Sequence, residues 1–306
     1  KIFNNIAPEG TNYLLEENLI LNEEEPEALL LRSKVLNENN FNDQLLCIGR
    51  AGAGVNNIPI DIASKRGVVV FNTPGANANA VKELVLCGLL LSSRGIIQGN
   101  SFAKSLAIDE ASEFNTKIEN EKKNFKGSEL YGKTLGIVGL GAIGSMVAQS
   151  ADALGMKLVG YDPYISIDSA WRLPKEVQKA SSIEELVSSS DFISIHVPLV
   201  DSTKDLISKD LLEHFKRGSK LINLSRGGIV NNNDVIDALQ NDTLSAYVTD
   251  FPSIELSQRA NNSGDVILLP HIGASTEEAE VNCAVMAAEQ VVDFLKNGNI
   301  INSVNF

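Results

Sequence analysis

The sequence predicts an α/β protein with two domains, each built on a doubly wound parallel sheet. Short apolar runs alternate with segments of helical periodicity along most of the 306 residues, a pattern typical of parallel strands joined by helices. The length suits two domains of ordinary size better than one. Residues 101–127 are rich in Lys, Glu and Asn, which indicates a polar helix or a surface connector between the domains.

The first domain is expected to begin near residue 1 and to be completed by the end of the chain. Its candidate strands are 28–32, 45–49 and 68–72, and its candidate helices are 58–66 and 76–91. The apolar segment 300–306 has no obvious partner in the second series of elements. We therefore expect a first domain of residues 1–94 plus 283–306 and a second domain of residues 95–282.

The second domain is expected to contain a longer series of strands and helices. Its candidate strands are 134–139, 157–162, 192–197, 220–224, 246–251 and 266–269. Two helices show capping boxes, Ser182-x-x-Glu185 and Ser275-x-x-Glu278. The second box opens the closing helix, and Gly298 is expected to end it.

A glycine-rich turn, Gly139-Leu-Gly-Ala-Ile-Gly144, follows the first of these strands and opens a helix. Gly139 permits the tight turn, Gly141 lets a pyrophosphate approach the backbone, and Gly144 lets the helix pack close to the strand. Asp162 ends the next strand, near the spacing of about 20 residues expected for an acid that binds the ribose 2′-hydroxyl of NAD. The pattern predicts an NAD-binding Rossmann domain. The alternative is a structural turn followed by a surface acid.

Only three histidines occur, so imidazole chemistry can come only from His196, His214 or His271. His214 lies in a short polar stretch and is interpreted as a surface residue. His196 ends a predicted strand, where it is either a neighbour of a cofactor or a structural histidine. His271 follows the last strand and precedes Gly273, at the edge where open α/β sheets bind ligands. It is the candidate acid–base group.

Two charged residues occupy equivalent positions after other strands. Arg226 is followed by two glycines, and a guanidinium there can grip a carboxylate through two parallel hydrogen bonds. Glu255 follows the next strand by a few residues, and a carboxylate beside His271 would orient its ring and favour the protonated form. Taken singly, residues of these types are more often members of surface ion pairs.

In combination these motifs resemble the signature set of the D-isomer-specific 2-hydroxyacid dehydrogenases. The set comprises Ser225-Arg-Gly-Gly-Ile-Val230, Glu255, Pro270-His-Ile-Gly-Ala-Ser-Thr276, the glycine-rich turn, His196-Val-Pro-Leu199 and the segment Gly49-Arg-Ala-Gly-Ala-Gly-Val-Asn-Asn-Ile58. The resemblance runs from about Leu45 to the end of the chain. One departure is Leu256, which stands after Glu255 where the family usually has proline.

The resemblance implies a flavodoxin-like substrate domain, a Rossmann domain that binds NAD, and no metal. It implies that Arg226 holds the substrate carboxylate and 2-oxygen, that His271 exchanges the hydroxyl proton, and that Glu255 hydrogen-bonds His271. The residues implied to bind the cofactor are Gly139, Gly141, Ala142, Ile143, Gly144, Asp162, His196, Pro198, Thr203, Leu224, Ser225, Arg226, Asp250, His271 and Gly273. The residues implied to face a small anionic substrate, a phosphorylated 2-hydroxy acid, are Arg50, Gly52, Ala53 and Gly54.

The charge balance limits the other partners. Lys and Arg number 26 against 39 Asp and Glu, a formal net charge of −13, which disfavours nucleic acid and anionic membranes. Three widely spaced cysteines, no signal-peptide pattern and no apolar stretch of membrane-spanning length lead us to expect a cytoplasmic protein. The family resemblance implies a homodimer. Some members carry a C-terminal regulatory domain, so a chain that stops at Phe306 is expected to be a short form or a trimmed one.

Two alternatives remain open at this point. The first is a different reaction within the family, on glycerate, glyoxylate or hydroxypyruvate. The second is an NAD(H)-sensing binding module on the same fold, as in the C-terminal-binding-protein corepressors, because such proteins can keep the Arg–Glu–His set.

Overall fold

The computed structural model describes residues 1–3 and 5–306. The strands are β1 (Ala28–Leu31), β2 (Cys47–Arg50), β3 (Val69–Phe71), β4 (Thr134–Val138), β5 (Lys157–Tyr161), β6 (Gln178–Lys179), β7 (Phe192–Ile195), β8 (Ser219–Asn223), β9 (Leu244–Thr249) and β10 (Val266–Leu268). The helices are α1 (Pro8–Glu16), α2 (Ile60–Lys65), α3 (Ala78–Ser93), α4 (Ile96–Ser105), α5 (Ala111–Glu121), α6 (Ala142–Ala153), α7 (Ile167–Trp171), α8 (Ile183–Ser189), α9 (Lys209–Leu212), α10 (Asn232–Gln240), α11 (Ile254–Asn262) and α12 (Glu277–Asn297). All named strand pairs are parallel, so the predicted α/β class is confirmed.

The described residues group into two compact units, Lys1–Ala80 with Ala274–Phe306, and Val81–Gly273. Both divisions lie earlier in the chain than the domain limits expected after residues 94 and 282. The helix α3 belongs with the second unit because it packs on the second sheet, where Gly88 lies against Val248 and Ile222. A limit after residue 282 would cut α12. The expected domain limits stay a prediction.

The first unit is a three-stranded sheet in the order β1-β2-β3. One face packs on α1 and α12 and the other on the α2 side, so that both faces are covered by apolar side chains. Helices α1 and α12 approach closely, since a Cβ on Gly10 would lie 2.7 Å from the backbone of Ala284. The end of the chain lies beside β3, where the amide of Val304 donates to the carbonyl of Val70 over 2.9 Å.

The second unit is a seven-stranded sheet in the order β10-β9-β8-β7-β4-β5-β6. Chain order reverses between β7 and β4, which is the switch point where open α/β sheets bind ligands outside the carboxyl ends of their strands. Buried apolar side chains pack on both faces. The edge strand β6 has no counterpart among the predicted strands, because its two residues are polar and exposed.

Helix ends follow local capping. Ser182 caps α8 by accepting from the amide of Glu185, as the capping box predicts. The box at Ser275 is wrong by one residue, because Thr276 is the N-cap of α12 and accepts from the amide of Ala279. Gly298 ends α12 in the left-handed region, as expected. In the part of the chain that the structure describes, no helix has the length and apolar character needed to cross a bilayer.

Candidate functional site

The glycine-rich turn joins β4 to α6 in the way its glycines predict. Gly139 has φ 90°, and a Cβ there would lie 2.6 Å from the carbonyl oxygen of His196. A Cβ on Gly144 would lie 2.0 Å from the carbonyl oxygen of Gly139, so the helix packs directly on the turn. By contrast, a Cβ on Gly141 would meet no atom within 4 Å. Two glycines therefore close the turn, and the third borders open space.

That open space lies at the N-terminus of α6. Gly141 is the N-cap residue, no side chain caps the helix, and both Gly141 and Ala142 are exposed. The first amides of a helix have no intrahelical acceptor and carry the positive end of its dipole. Open space before uncapped amides fits the pyrophosphate of a dinucleotide. Ile143, in the same first turn, is half-buried.

Asp162 lies beside this turn. One carboxylate oxygen accepts from the amide of Leu140 over 2.8 Å, and the other accepts from the amide of Tyr164 over 2.9 Å. Each oxygen keeps a further lone pair for a ribose hydroxyl. The position and charge of Asp162 therefore fit a ribose whose 2′-hydroxyl is free and oppose one that carries a 2′-phosphate.

His196 follows β7 on the other side of the switch point, and its amide donates to the carbonyl of Val138 over 2.7 Å. Burial lowers the pKa of His196 to about 4, so its ring is neutral near pH 7. Its Nε2 lies 2.8 Å from the hydroxyl of buried Ser194, and among the described residues its buried Nδ1 has no hydrogen-bond partner. In the loop that follows, Thr203 donates to the carbonyl of Pro198 over 2.6 Å.

The Arg226 loop follows β8. Asn223, the last residue of the strand, donates from Nδ2 to the carbonyl of Arg226 over 2.9 Å. Its Oδ1 accepts from the amide and the hydroxyl of Ser225 over 3.2 and 3.0 Å. The Arg226 guanidinium donates to the carbonyl of Ser225 over 2.7 Å, and burial lowers the pKa of Arg226. Leu224 is buried in the core beneath this loop.

The His271 loop follows β10, two strands away from β8. His271 is exposed, has φ 57°, and lies against Phe251 with ring centroids 5.1 Å apart. The carboxylate of Asp250 accepts from the amide of Ile272 over 2.8 Å and from the amide of Gly273 over 2.7 Å. Arg226 and His271 thus emerge at the same carboxyl edge of the sheet, each from a loop fixed by a buried polar side chain.

The structure does not join Glu255 to His271. Glu255 is exposed in the first turn of α11, and hydrogen bonds from its own amide and from Ser253 lower the pKa of its carboxyl group. Across residues 1–3 and 5–306, no hydrogen bond or ion pair links Glu255 to the imidazole. An acid in the first turn is held by the positive end of its own helix. His214, as expected, is exposed and lies apart from the site loops, just after α9.

In the first unit, Arg50 ends β2 and its guanidinium lies across the loop that follows. Nη1 of Arg50 lies 1.5 Å from the place of a Cβ on Gly52, and Gly52 has φ 141°, a conformation that favours glycine. Residues after β3 fix this loop, since Asn72 donates to the carbonyl of Ala53 over 2.7 Å. Gly54 is half-buried beside it. Arg50 thus lies against the 52–54 loop, and its role towards the substrate stays a prediction.

Three functional candidates were missed from the sequence. Asn223 and Ser194 are buried polar residues inside apolar strands, and this break in the apolar run was the available signal. Arg32 follows β1 as Arg50 ends β2, and its guanidinium pairs with Glu280 over 2.6 Å. A basic residue at the carboxyl end of an apolar strand was the signal for it.

Residues 89–273 match the family model described as "D-isomer specific 2-hydroxyacid dehydrogenase, NAD binding domain". The D-3-phosphoglycerate dehydrogenase of Bacillus subtilis (strain 168) is 37% identical over 284 residues, which cover 91% of this chain and 51% of that protein. The protein of the same name from Rattus norvegicus is 38% identical over 298 residues, with 95% and 53% covered. The chain spans about half the length of the curated relatives it matches.

Among solved structures, the chain is similar to the NAD⁺-bound 3-phosphoglycerate dehydrogenase of Entamoeba histolytica. The TM-score is 0.77 and the sequence identity 28%, and the match covers 100% of this chain and 97% of that chain.

Proposed function

This chain belongs to the D-isomer-specific 2-hydroxyacid dehydrogenase family, and we propose that it oxidises D-3-phosphoglycerate to 3-phosphohydroxypyruvate with NAD⁺. The reaction is a reversible hydride transfer and, in this proposal, the first step of L-serine biosynthesis. The observation that carries the proposal is that Arg226 and His271 emerge at the carboxyl edge of the sheet that also holds the glycine-rich turn. The names of the curated relatives support the choice of substrate.

Arg226 binds the substrate in this proposal. A planar guanidinium makes two parallel hydrogen bonds to a carboxylate and holds it in one orientation. The Arg226 loop is already fixed through Asn223, and burial near the group strengthens an ionic hydrogen bond relative to one in water. Arg226 therefore fixes the carboxylate end of a 2-hydroxy acid, and the hydroxyl-bearing carbon is placed beside it.

His271 moves the proton. When NAD⁺ is bound, its nicotinamide supplies the acceptor for the hydride that leaves C2. The neutral imidazole of His271 accepts the hydroxyl proton during oxidation and returns it during reduction. The exposed ring, held in a left-handed turn against Phe251, has its nitrogens free of partners among the described residues. General acid–base catalysis of this kind typically contributes a factor of about 10²–10⁴.

Glu255 completes the proposed set as the partner acid of His271. A carboxylate beside an imidazole favours its protonated form and fixes its orientation. This role requires the carboxylate of Glu255 to leave the hydrogen bonds that it makes in the first turn of α11.

Arg50, with the loop of Gly52, Ala53 and Gly54, is proposed to supply the cation for the substrate phosphate. A phosphate dianion needs at least one such charge in a protein whose formal net charge is −13.

We also propose that the chain acts as a homodimer, which light scattering of the purified protein tests.

A panel of 2-oxo acids tests the proposal. NADH oxidation is followed with 3-phosphohydroxypyruvate, hydroxypyruvate and glyoxylate at several concentrations of each. We expect kcat/KM to be highest for the phosphorylated acid by at least about tenfold, or about 1.4 kcal/mol of transition-state binding. A preference for an unphosphorylated acid would assign the chain to another reaction of the family. NADH binding with no turnover of any acid would favour an NAD(H)-sensing binding module.

A further inference from the structure

Two buried polar residues end adjacent strands of the second sheet. Asn223, at the end of β8, and Asp250, immediately after β9, are each 1% exposed. Interior parallel strands are otherwise apolar, and a buried polar group is costly unless its hydrogen bonds are satisfied. Asp250 forms its hydrogen bonds with backbone amides of the His271 loop, and Asn223 forms its own with the backbone of the Arg226 loop and the hydroxyl of Ser225. Asn223 and Asp250 are therefore placed and bonded so as to fix the Arg226 loop and the His271 loop.

Asn223 fixes the Arg226 loop from both ends of its amide. Its Oδ1 accepts two hydrogen bonds from Ser225, and its Nδ2 donates to the carbonyl of Arg226. The amide thus holds the 224–225 peptide unit through the N–H of Ser225 and the 226–227 unit through the carbonyl of Arg226. The direction in which the guanidinium leaves the backbone follows from the orientation of those units.

Asp250 fixes the His271 loop in a similar way. Its two carboxylate oxygens accept from consecutive amides, those of Ile272 and Gly273. His271 has φ 57°, a left-handed conformation that is unfavourable for a residue with a side chain and persists only where the surroundings hold it. A carboxylate that binds the next two amides is the group that holds it here.

The two residues are linked to each other. The amide of Asp250 donates to the carbonyl of Asn223 over 3.2 Å, between neighbouring strands. We propose that Asn223 and Asp250 are a linked pair of positioning residues that set Arg226 and His271 relative to one another. The kinetic part of this inference rests on the proposed function, whereas the structural part does not.

Asn223→Ala and Asn223→Asp separate the contributions of the amide. The alanine variant loses all three side-chain hydrogen bonds. The aspartate variant is nearly isosteric, keeps the acceptor for Ser225 and loses the donor to the carbonyl of Arg226, so it also serves if the alanine variant does not fold. Leu239→Ala is the matched control, because Leu239 is buried in α10 and its loss lowers stability without touching either loop.

The kinetic measurement uses the best substrate of the panel. We expect both Asn223 variants to lower kcat/KM about 10- to 100-fold, with most of the change in KM for the 2-oxo acid, because a small displacement of a binding group has effects of that size. The affinity for NADH should stay within about threefold of wild type. That limit is well below a tenfold change, which corresponds to about 1.4 kcal/mol. Equal kcat/KM for Asn223→Ala and Leu239→Ala would overturn the proposal.

Hydrogen exchange tests the structural part independently of turnover. Asp250→Asn should speed exchange at the amide of Ile272 or of Gly273, whichever loses its acceptor, because an asparagine oxygen replaces only one of the two acceptors. Asn223→Ala should speed exchange at Ser225. Unchanged exchange at these amides would overturn the proposal, whether or not the chain reduces 2-oxo acids. A wild-type protein without turnover would contradict the proposed function and leave the exchange result to decide this inference.

Discussion

Gly141→Ala should separate cofactor binding from stability, because the space beside Gly141 is open in the folded chain. A Cβ there meets no atom within 4 Å, and Gly141 has extended backbone with φ −70°, outside the left-handed region that favours glycine. The same substitution at Gly144 is the matched contrast. Its Cβ would lie 2.0 Å from the carbonyl oxygen of Gly139, whereas carbon–oxygen contacts lie near about 3.3 Å.

These distances give different free energies of unfolding. At Gly141, alanine is a poorer N-cap by a few tenths to about 1 kcal/mol, and it gains about 0.4–1 kcal/mol by restricting the unfolded chain. We expect the two effects to cancel to within about 0.5 kcal/mol. At Gly144, the turn and the helix must separate by more than about 1 Å, and overpacking of this kind costs about 1–3 kcal/mol.

The assay compares urea unfolding without NADH and titration of the protein with NADH, followed by its fluorescence. Gly141→Ala should unfold like wild type and bind NADH at least about tenfold more weakly, a loss of about 1.4 kcal/mol, because its methyl group takes the space of the pyrophosphate. Gly144→Ala should have both a lower free energy of unfolding and a lower affinity for NADH than wild type. If Gly141→Ala binds NADH as tightly as wild type does, the pyrophosphate is not bound at this turn.

Three further predictions follow from single residues. Arg50→Ala should raise KM for the phosphorylated substrate, 3-phosphohydroxypyruvate, at least about tenfold more than KM for hydroxypyruvate, and equal effects in the NADH assay would remove its phosphate-binding role. Asp162→Ser should narrow the preference for NADH over NADPH, and an unchanged ratio of kcat/KM for the two cofactors would contradict the ribose assignment. Burial lowers the pKa of His196 from 6.5 to about 4, so this imidazole binds a proton more tightly in the unfolded chain than in the folded one. The free energy of unfolding that the neutral ring contributes at pH 7 is therefore lost as the pH falls from about 6.5 towards about 4. Wild type should therefore lose about 2 kcal/mol more than His196→Gln between pH 7 and pH 5 in urea unfolding, and parallel losses would contradict the burial of this ring.

Elements with a strong pattern were predictable to within a residue or two. The strand β4 and its glycine-rich turn follow from sterics, because only glycine fits at Gly139 and Gly144. The start of α12 was misassigned by one residue because Ser275 and Thr276 both carry a capping hydroxyl, and the choice depends on the path of the backbone. The strand β6 is defined only by its pairing with β5 and has no apolar run to reveal it.

Site residues could be predicted from sequence where their residue type indicates their chemistry. They were harder to predict where their role depends on which atoms lie nearby in the fold. Arg226 and His271 stand out because charged groups at strand ends are rare in an apolar series. The supporting role of Asn223 depends on which carbonyl lies within reach of its amide, and sequence does not encode that distance. The separation of Glu255 from the imidazole has the same origin, because it depends on where α11 begins.

Proton transfer by His271 is tested by the turnover of His271→Ala with 3-phosphohydroxypyruvate and NADH. The control is His214→Ala, which changes an exposed histidine just after α9. We expect kcat to fall at least about 100-fold for His271→Ala, its NADH affinity to stay near wild type, and His214→Ala to turn over at the wild-type rate. A His271→Ala protein that keeps more than about a tenth of the wild-type kcat would contradict the assignment of proton transfer to this residue.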